Sequence, residues 1–279
     1  MSASAAATRR VFITGAGSGL GRALALKFAA EGFHVAITDL KQDSAEETLA
    51  LVRQQGGEGF AMVCNVASED SFAAVVERLK REWQGVDVLI NNAGVATGGT
   101  VVDSPIAQWQ FAWDINVLGC VRGCKLVAPL LIEQGSGHIV NVASFAGFTN
   151  APALASYSAT KAAVISLSET LRFELHAQNV GVSVVCPAFF KTNLMRTSAE
   201  QSGGLSNAAP QMERIVQRLM DKATVTAGDV AADVFDAVRS KRFMVMTHAE
   251  ARRTVLIKRI SPELYFKRAL AQTQKFLKR

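Results

Sequence analysis

A chain of 279 residues with 49% hydrophobic side chains has the material for one large α/β domain and is too apolar for disorder. No uninterrupted apolar run reaches the roughly 18 residues of a membrane span. The net charge of +6 is confined: residues 249–279 carry nine Lys/Arg against two Asp/Glu, a balance of +7, while the remainder sums to −1, which argues against a nucleic-acid-binding body.

The Ala/Ser-rich residues 1–8 lack the apolar core and cleavage site of a secretory leader. They read as a short disordered tail, and the expected location is cytoplasmic. A strand is predicted over 11–14, followed by the run Gly15-Ala16-Gly17-Ser18-Gly19-Leu20-Gly21 and a helix over 22–31. Strand, glycine turn and helix N-terminus in that order form an anion cradle, because glycine lets the main chain approach a pyrophosphate and the helix start offers free N–H groups. The candidate contacts are Gly15, Ser18, Gly19, Leu20 and Gly21. A second strand, 34–39, ends at Asp39, whose carboxylate suits an adenosine ribose and repels a 2′-phosphate. NAD is therefore preferred over NADP, with Lys41 nearby as the one contrary feature.

Strands at 60–64 and 86–90 alternate with helices at 43–55 and 68–83, the latter capped by Ser68. The strands run out at Asn65 and at Asn91-Asn92-Ala93-Gly94. Such alternation predicts parallel strands with ligands at their carboxyl ends. One long helical region spans 105–134. Asn116 inside it, between Ile115 and Val117, is either a satisfied core amide or a backbone distortion with a bound water on a proton path.

A fifth strand, 138–142, leads to Ser144, and Gly147 and Pro152 break the chain into a loop. The next helix, 156–178, places Tyr157 and Lys161 one turn apart on one face. A phenol titrates ordinarily near 10, and an adjacent ammonium favours the phenolate, so the pair is a candidate acid/base device with Ser144 beside it. A sixth strand, 182–186, ends at Pro187. Residues 189–222 are positioned to cover the site as a lid, or form a packed helical hairpin. A helix at 227–239 and a strand at 243–246 complete a single domain, 9–248. In the extension, 249–279, a helix begins at Ser261-Pro262 with basic and apolar residues interleaved. It is expected to pack on the body or a second subunit; contact with an anionic membrane is the less favoured alternative. Cys64, Cys120, Cys124 and Cys186 have no metal or redox spacing, and His34, His138, His176 and His248 stand singly. Free buried thiols and no metal site are expected.

Over residues 9–247 the chain resembles the short-chain dehydrogenase/reductase family. The resemblance rests on Thr14-Gly15-x-x-x-Gly19-x-Gly21, Asn91-Asn92-Ala93-Gly94, Asn116, Ser144, Tyr157-x-x-x-Lys161 and the 187–192 stretch. It implies an α/β, Rossmann-like, doubly wound parallel sheet of seven strands with helices on both faces, assembled as a homodimer or homotetramer. It further implies Tyr157 as catalytic acid/base, Lys161 lowering its pKa and binding the nicotinamide ribose, Ser144 orienting the substrate, and Asn116 holding a water. Cofactor contacts would extend to Asn65, Val66, Asn92, Ala93, Gly94, Pro187, Phe190 and Thr192. Two positions depart from the family pattern: Asn65 where Asp is frequent, and Ala188 where Gly usually follows the proline.

The function implied is hydride transfer between NAD and a hydrophobic secondary alcohol or ketone, in a pocket built from Phe145, Phe148, Leu154, Phe189 and Phe190. The alternatives are an NADP-dependent carbonyl or 3-oxoacyl reductase, and a non-catalytic dinucleotide-binding scaffold.

Overall fold

A computed structural model describes residues 9–190, 194–201, 220 and 223–277. Thr192, the 1–8 tail and most of the 189–222 segment lie outside the described residues. Seven parallel strands form one sheet in the order β3-β2-β1-β4-β5-β6-β7. They are β1 (Arg10–Ile13), β2 (His34–Asp39), β3 (Gly59–Val63), β4 (Val88–Asn91), β5 (Gly137–Val142), β6 (Val180–Val185) and β7 (Met244–Val245). β1 pairs with both β2 and β4. The chain winds outward to β3, then crosses back to β4, which opens a crevice above the carboxyl ends of β1 and β4.

The apolar runs reflect burial on both sheet faces. Val11 and Ile13 pack with one layer of helices, whereas Phe12 points into the other and meets Phe72 edge-on at 5.4 Å. The covering helices are α1 (Gly19–Ala30), α2 (Gln42–Gln54), α3 (Glu69–Trp83), α4 (Ile106–Trp113), α5 (Gly119–Gln134), the short α6 (Ala146–Thr149), α7 (Ala155–Glu174), α8 (Leu194–Gln201) and α9 (Ala227–Ser240). Ser68 caps α3 by accepting from Ser71 N–H, and Thr226 and Asp229 form a reciprocal box at the start of α9.

Three sequence expectations need correction. The 105–134 span is not one helix: α4 and α5 are joined by a π-helical turn, Asp114–Leu118, centred on Asn116. By length and composition this span could cross a membrane, but half of its most apolar window is buried, as in the core of a soluble fold. β7 keeps only two residues. The C-terminal extension holds two helices, α10 (Ala249–Ile260) and α11 (Pro262–Leu277), where only the second was expected. At the junction Ser261 Oγ accepts from Leu264 N–H, the predicted cap.

His138 on β5 is buried beside its partner residue Gly181, which has no Cβ to obstruct the ring. Ser183 Oγ donates to Arg242 O at 2.6 Å, so His138 Nε2 donates to Ser183 Oγ at 2.8 Å and the ring is neutral. Burial, with Lys241 adding to it, pushes the imidazole down to about 4 from 6.5. The unfolded chain therefore binds a proton that the folded one refuses. This contribution to stability is complete above pH 6.5 and is lost as pH falls toward 4. Denaturant titrations of wild type and His138→Gln across that window should show a steeper acid loss in wild type; parallel curves would refute the assignment.

Candidate active site

The crevice widens into a cleft of about 1670 Å³. Of the residues singled out from sequence, all but Asn116, Phe148 and the undescribed Thr192 border it. Phe148 instead packs against the cluster around Val164 and Cys186.

On the β1 side, Gly15 has φ +63°, and a Cβ there would stand 2.8 Å from Ala93 Cα. The turn thus sits directly on the loop after β4. Asn92 ties the two together: its Nδ2 donates to Thr14 O and Gly15 O, and its main-chain N–H donates to Thr14 Oγ1. Asn92 therefore braces the glycine turn. Asp39 does likewise from β2, with Oδ2 accepting from Gly17 N–H at 3.0 Å and Oδ1 from Lys41 N–H at 3.2 Å. A carboxylate has about four acceptor sites, so room remains for ribose hydroxyls. Arg22, just past the turn, is occupied by Gly17 O, Thr48 Oγ1 and Glu47. The Ser18 side chain at the α1 N-cap takes no hydrogen bond from the first turn. The leading N–H groups of α1 are thereby left for an anion. Asn65 is exposed at the end of β3 and orders its own turn, Oδ1 accepting from Ala67 N–H.

On the β5 side, Ser144 Oγ accepts from Ala146 N–H and lines the cleft together with Tyr157. Lys161 is buried one turn along α7 and donates from Nζ to Val142 O at 3.0 Å, with Nζ 5.8 Å from the Tyr157 ring centroid. Here the structure departs from the spacing argument. Burial pushes the Tyr157 hydroxyl up; the neighbouring Ser144 hydroxyl opposes this, and the Cys186 thiol adds to it. Burial also pushes Lys161 down, against the nearby Cys120 and Cys186. Burial decides the direction at both groups, and the ammonium is directed at a strand carbonyl and not at the phenol.

Asn116 is fully buried in the π-turn. Its Oδ1 accepts from Val95 N–H, and both N–H groups are committed, to Val95 O and Thr160 Oγ1. Thr160 Oγ1 in turn donates to Tyr157 O. The side chain acts as a brace between the loop after β4 and α7. A Cβ on Gly94 would lie 3.0 Å from Asn116 Oδ1 and 3.3 Å from Lys161 Nζ, so this position is small by necessity.

Three features escaped the sequence reading. Asn91, Asn141 and Ser168 form a buried chain of side-chain hydrogen bonds beneath the site. His248 receives Ala188 N–H at Nδ1 and meets Phe189 O through Nε2, which clasps the segment after Pro187. The extension forms the far wall: Thr254, Ile257, Tyr265 and Ala269 border the cleft. It is pinned to α6 by Tyr265 Oη donating to Thr149 O at 2.5 Å and by Lys258 Nζ donating to Phe148 O. No local motif marks any of these; each depends on segments far apart in sequence.

The glycine turn, the α1 N-terminus and the carboxylate at the end of β2 fit a dinucleotide, and comparison with known proteins agrees. Residues 9–203 match the family described as short chain dehydrogenase. Probable oxidoreductase EphD of Mycobacterium tuberculosis is 32% identical over 91% of this chain, which spans 43% of that relative's length. A CLA biosynthesis dehydrogenase/reductase of Lactiplantibacillus plantarum is 32% identical, covering 86% of this chain and 88% of its own. A short-chain dehydrogenase/reductase of Burkholderia phymatum, solved in complex with NAD, superposes with a TM-score of 0.85 at 33% identity, over 92% of this chain and 95% of that one. With motif, topology and relatives in agreement, this chain belongs to the short-chain dehydrogenase/reductase family.

Proposed function

We propose that the protein interconverts a hydrophobic secondary alcohol and its ketone, with NAD as the preferred dinucleotide. The observation that carries this reading is that Ser144, Tyr157 and Lys161 line one end of a cleft whose other end is the glycine turn and Asp39. When bound, the nicotinamide accepts or supplies the hydride. Ser144 holds the substrate oxygen. Tyr157 removes the hydroxyl proton in oxidation and returns it in reduction. Lys161, fixed by Val142 O, presents its ammonium to the nicotinamide ribose and stabilises the phenolate once charge develops. Asn116 positions α7 through Thr160.

The preference for NAD is supported by the Asp39 carboxylate at the end of β2, which would repel a 2′-phosphate bound beside it, and by Arg22 being already engaged. The substrate side is apolar, with Leu154, Phe189, Ile257 and Phe266 on the cleft wall. Turnover of a panel of hydrophobic secondary alcohols, with NAD and NADP side by side, tests both parts. NAD should be favoured, and Asp39→Ser should raise kcat/KM with NADP by about tenfold, the equivalent of relieving ~1.4 kcal/mol of repulsion. A wild-type enzyme that prefers NADP would overturn the Asp39 argument.

A further inference from the structure

The two helices of the extension have opposed faces. Inward, Ala251 is buried, Val255 packs on the core, and Thr254, Ile257, Tyr265 and Ala269 border the cleft. Outward, Leu256, Ile260, Leu264, Phe266 and Leu270 are exposed, Ile260 at 75% and Phe266 at 58%. Scattered exposed apolar residues are ordinary; a run of them along one pair of helices is not. Between them stand Arg252, Arg253, Arg259, Lys267 and Arg268, all exposed. Among the described residues none of these five cations has an acidic partner.

We propose that this outward face of α10 and α11 docks on an anionic lipid bilayer, with the arginines and lysines at the headgroups and Leu256, Ile260 and Phe266 dipping below them. Charge selects this occupant. A second copy joined face to face would set one +7 extension against another, and like charges repel. An apolar surface alone suits many partners, but apolar residues interleaved with unpaired cations suit an interface that is itself anionic outside and apolar beneath. Phe266 and Leu270 both border the cleft and face outward, so the docked face is continuous with the cleft rim.

Sedimentation of the full chain with phosphatidylcholine vesicles, with and without phosphatidylserine, tests this without requiring turnover. It therefore stands or falls apart from the proposed activity. Wild type should sediment with the anionic vesicles only, and less so as salt rises. Arg252→Glu/Arg253→Glu/Arg259→Glu should abolish binding, since each cation contributes about fivefold. Leu256→Asn/Ile260→Asn should weaken binding by at least tenfold while leaving vesicle-free turnover and melting temperature unchanged. No sedimentation of wild type, equal sedimentation of all three proteins, or a stable self-associated form that Leu256→Asn/Ile260→Asn dissociates in the absence of lipid would each overturn the proposal.

Discussion

Tyr157→Phe should lower kcat by about 10²–10⁴ with the dissociation constant for NADH unchanged, because positioned acid/base groups are worth that factor and the ring itself remains. Only the hydroxyl, which borders the cleft beside Ser144, is removed. Stopped-flow or steady-state turnover, paired with fluorescence titration of the dinucleotide, separates the two quantities. Wild-type activity in the variant would favour a scaffold role for the fold. The same residue fixes the sign of the pH dependence. Burial holds the hydroxyl above its ordinary value near 10. Oxidation needs the phenolate, so its kcat/KM should climb from neutral into alkaline pH. Reduction needs the phenol and should stay level over that range. An oxidation profile that flattens at neutral pH would contradict burial as the dominant influence in the free enzyme.

Gly21→Ala should weaken dinucleotide binding by roughly 100-fold, near the upper end of the ~1–3 kcal/mol that overpacking costs. The added methyl would lie 2.1 Å from Gly15 O and 2.6 Å from Asn92 Nδ2. The nearest of these atoms is main chain and cannot swing aside. Relief requires the Asn92 amide to leave Gly15 O, which unfastens the glycine turn from the loop after β4. Calorimetric titration with NADH, alongside thermal melting to verify that the variant folds, measures the effect. Unchanged affinity would mean that the turn does not carry the pyrophosphate.

The sheet was legible in sequence because its strands are buried on both faces, so 11–14, 34–39, 60–64, 86–90, 138–142 and 182–186 are short, mostly apolar runs. Part of the candidate site was legible for the same reason: Gly15, Asp39, Asn65, Asn92 and Ser144 fall just where those runs stop, whereas Asn116, Tyr157 and Lys161 lie in helical segments. What could not be read depends on burial and on distant contacts. The i, i+4 spacing of Tyr157 and Lys161 placed them on one face but gave no sign that burial would decide the direction of the shift at both groups. The π-turn at Asn116 is set by Val95 and Thr160, one of them 44 residues away. Helix α10 was missed because basic and apolar residues alternate on its outward face, so the pattern resembles no buried stripe. His248 lacks any flanking motif, and only the fold brings it to Ala188 and Phe189.

Lys258 and Tyr265 grip the turn that starts at Ser144, since Ala146 N–H holds the serine hydroxyl and the next residues of α6 supply the carbonyls for both anchors. Lifting the arm to admit a bulky molecule therefore tugs on the group that must align that molecule's oxygen. Were the two C-terminal helices to lift, the position of Ser144 and the opening of the cleft would change together, through the α6 carbonyls both anchors hold.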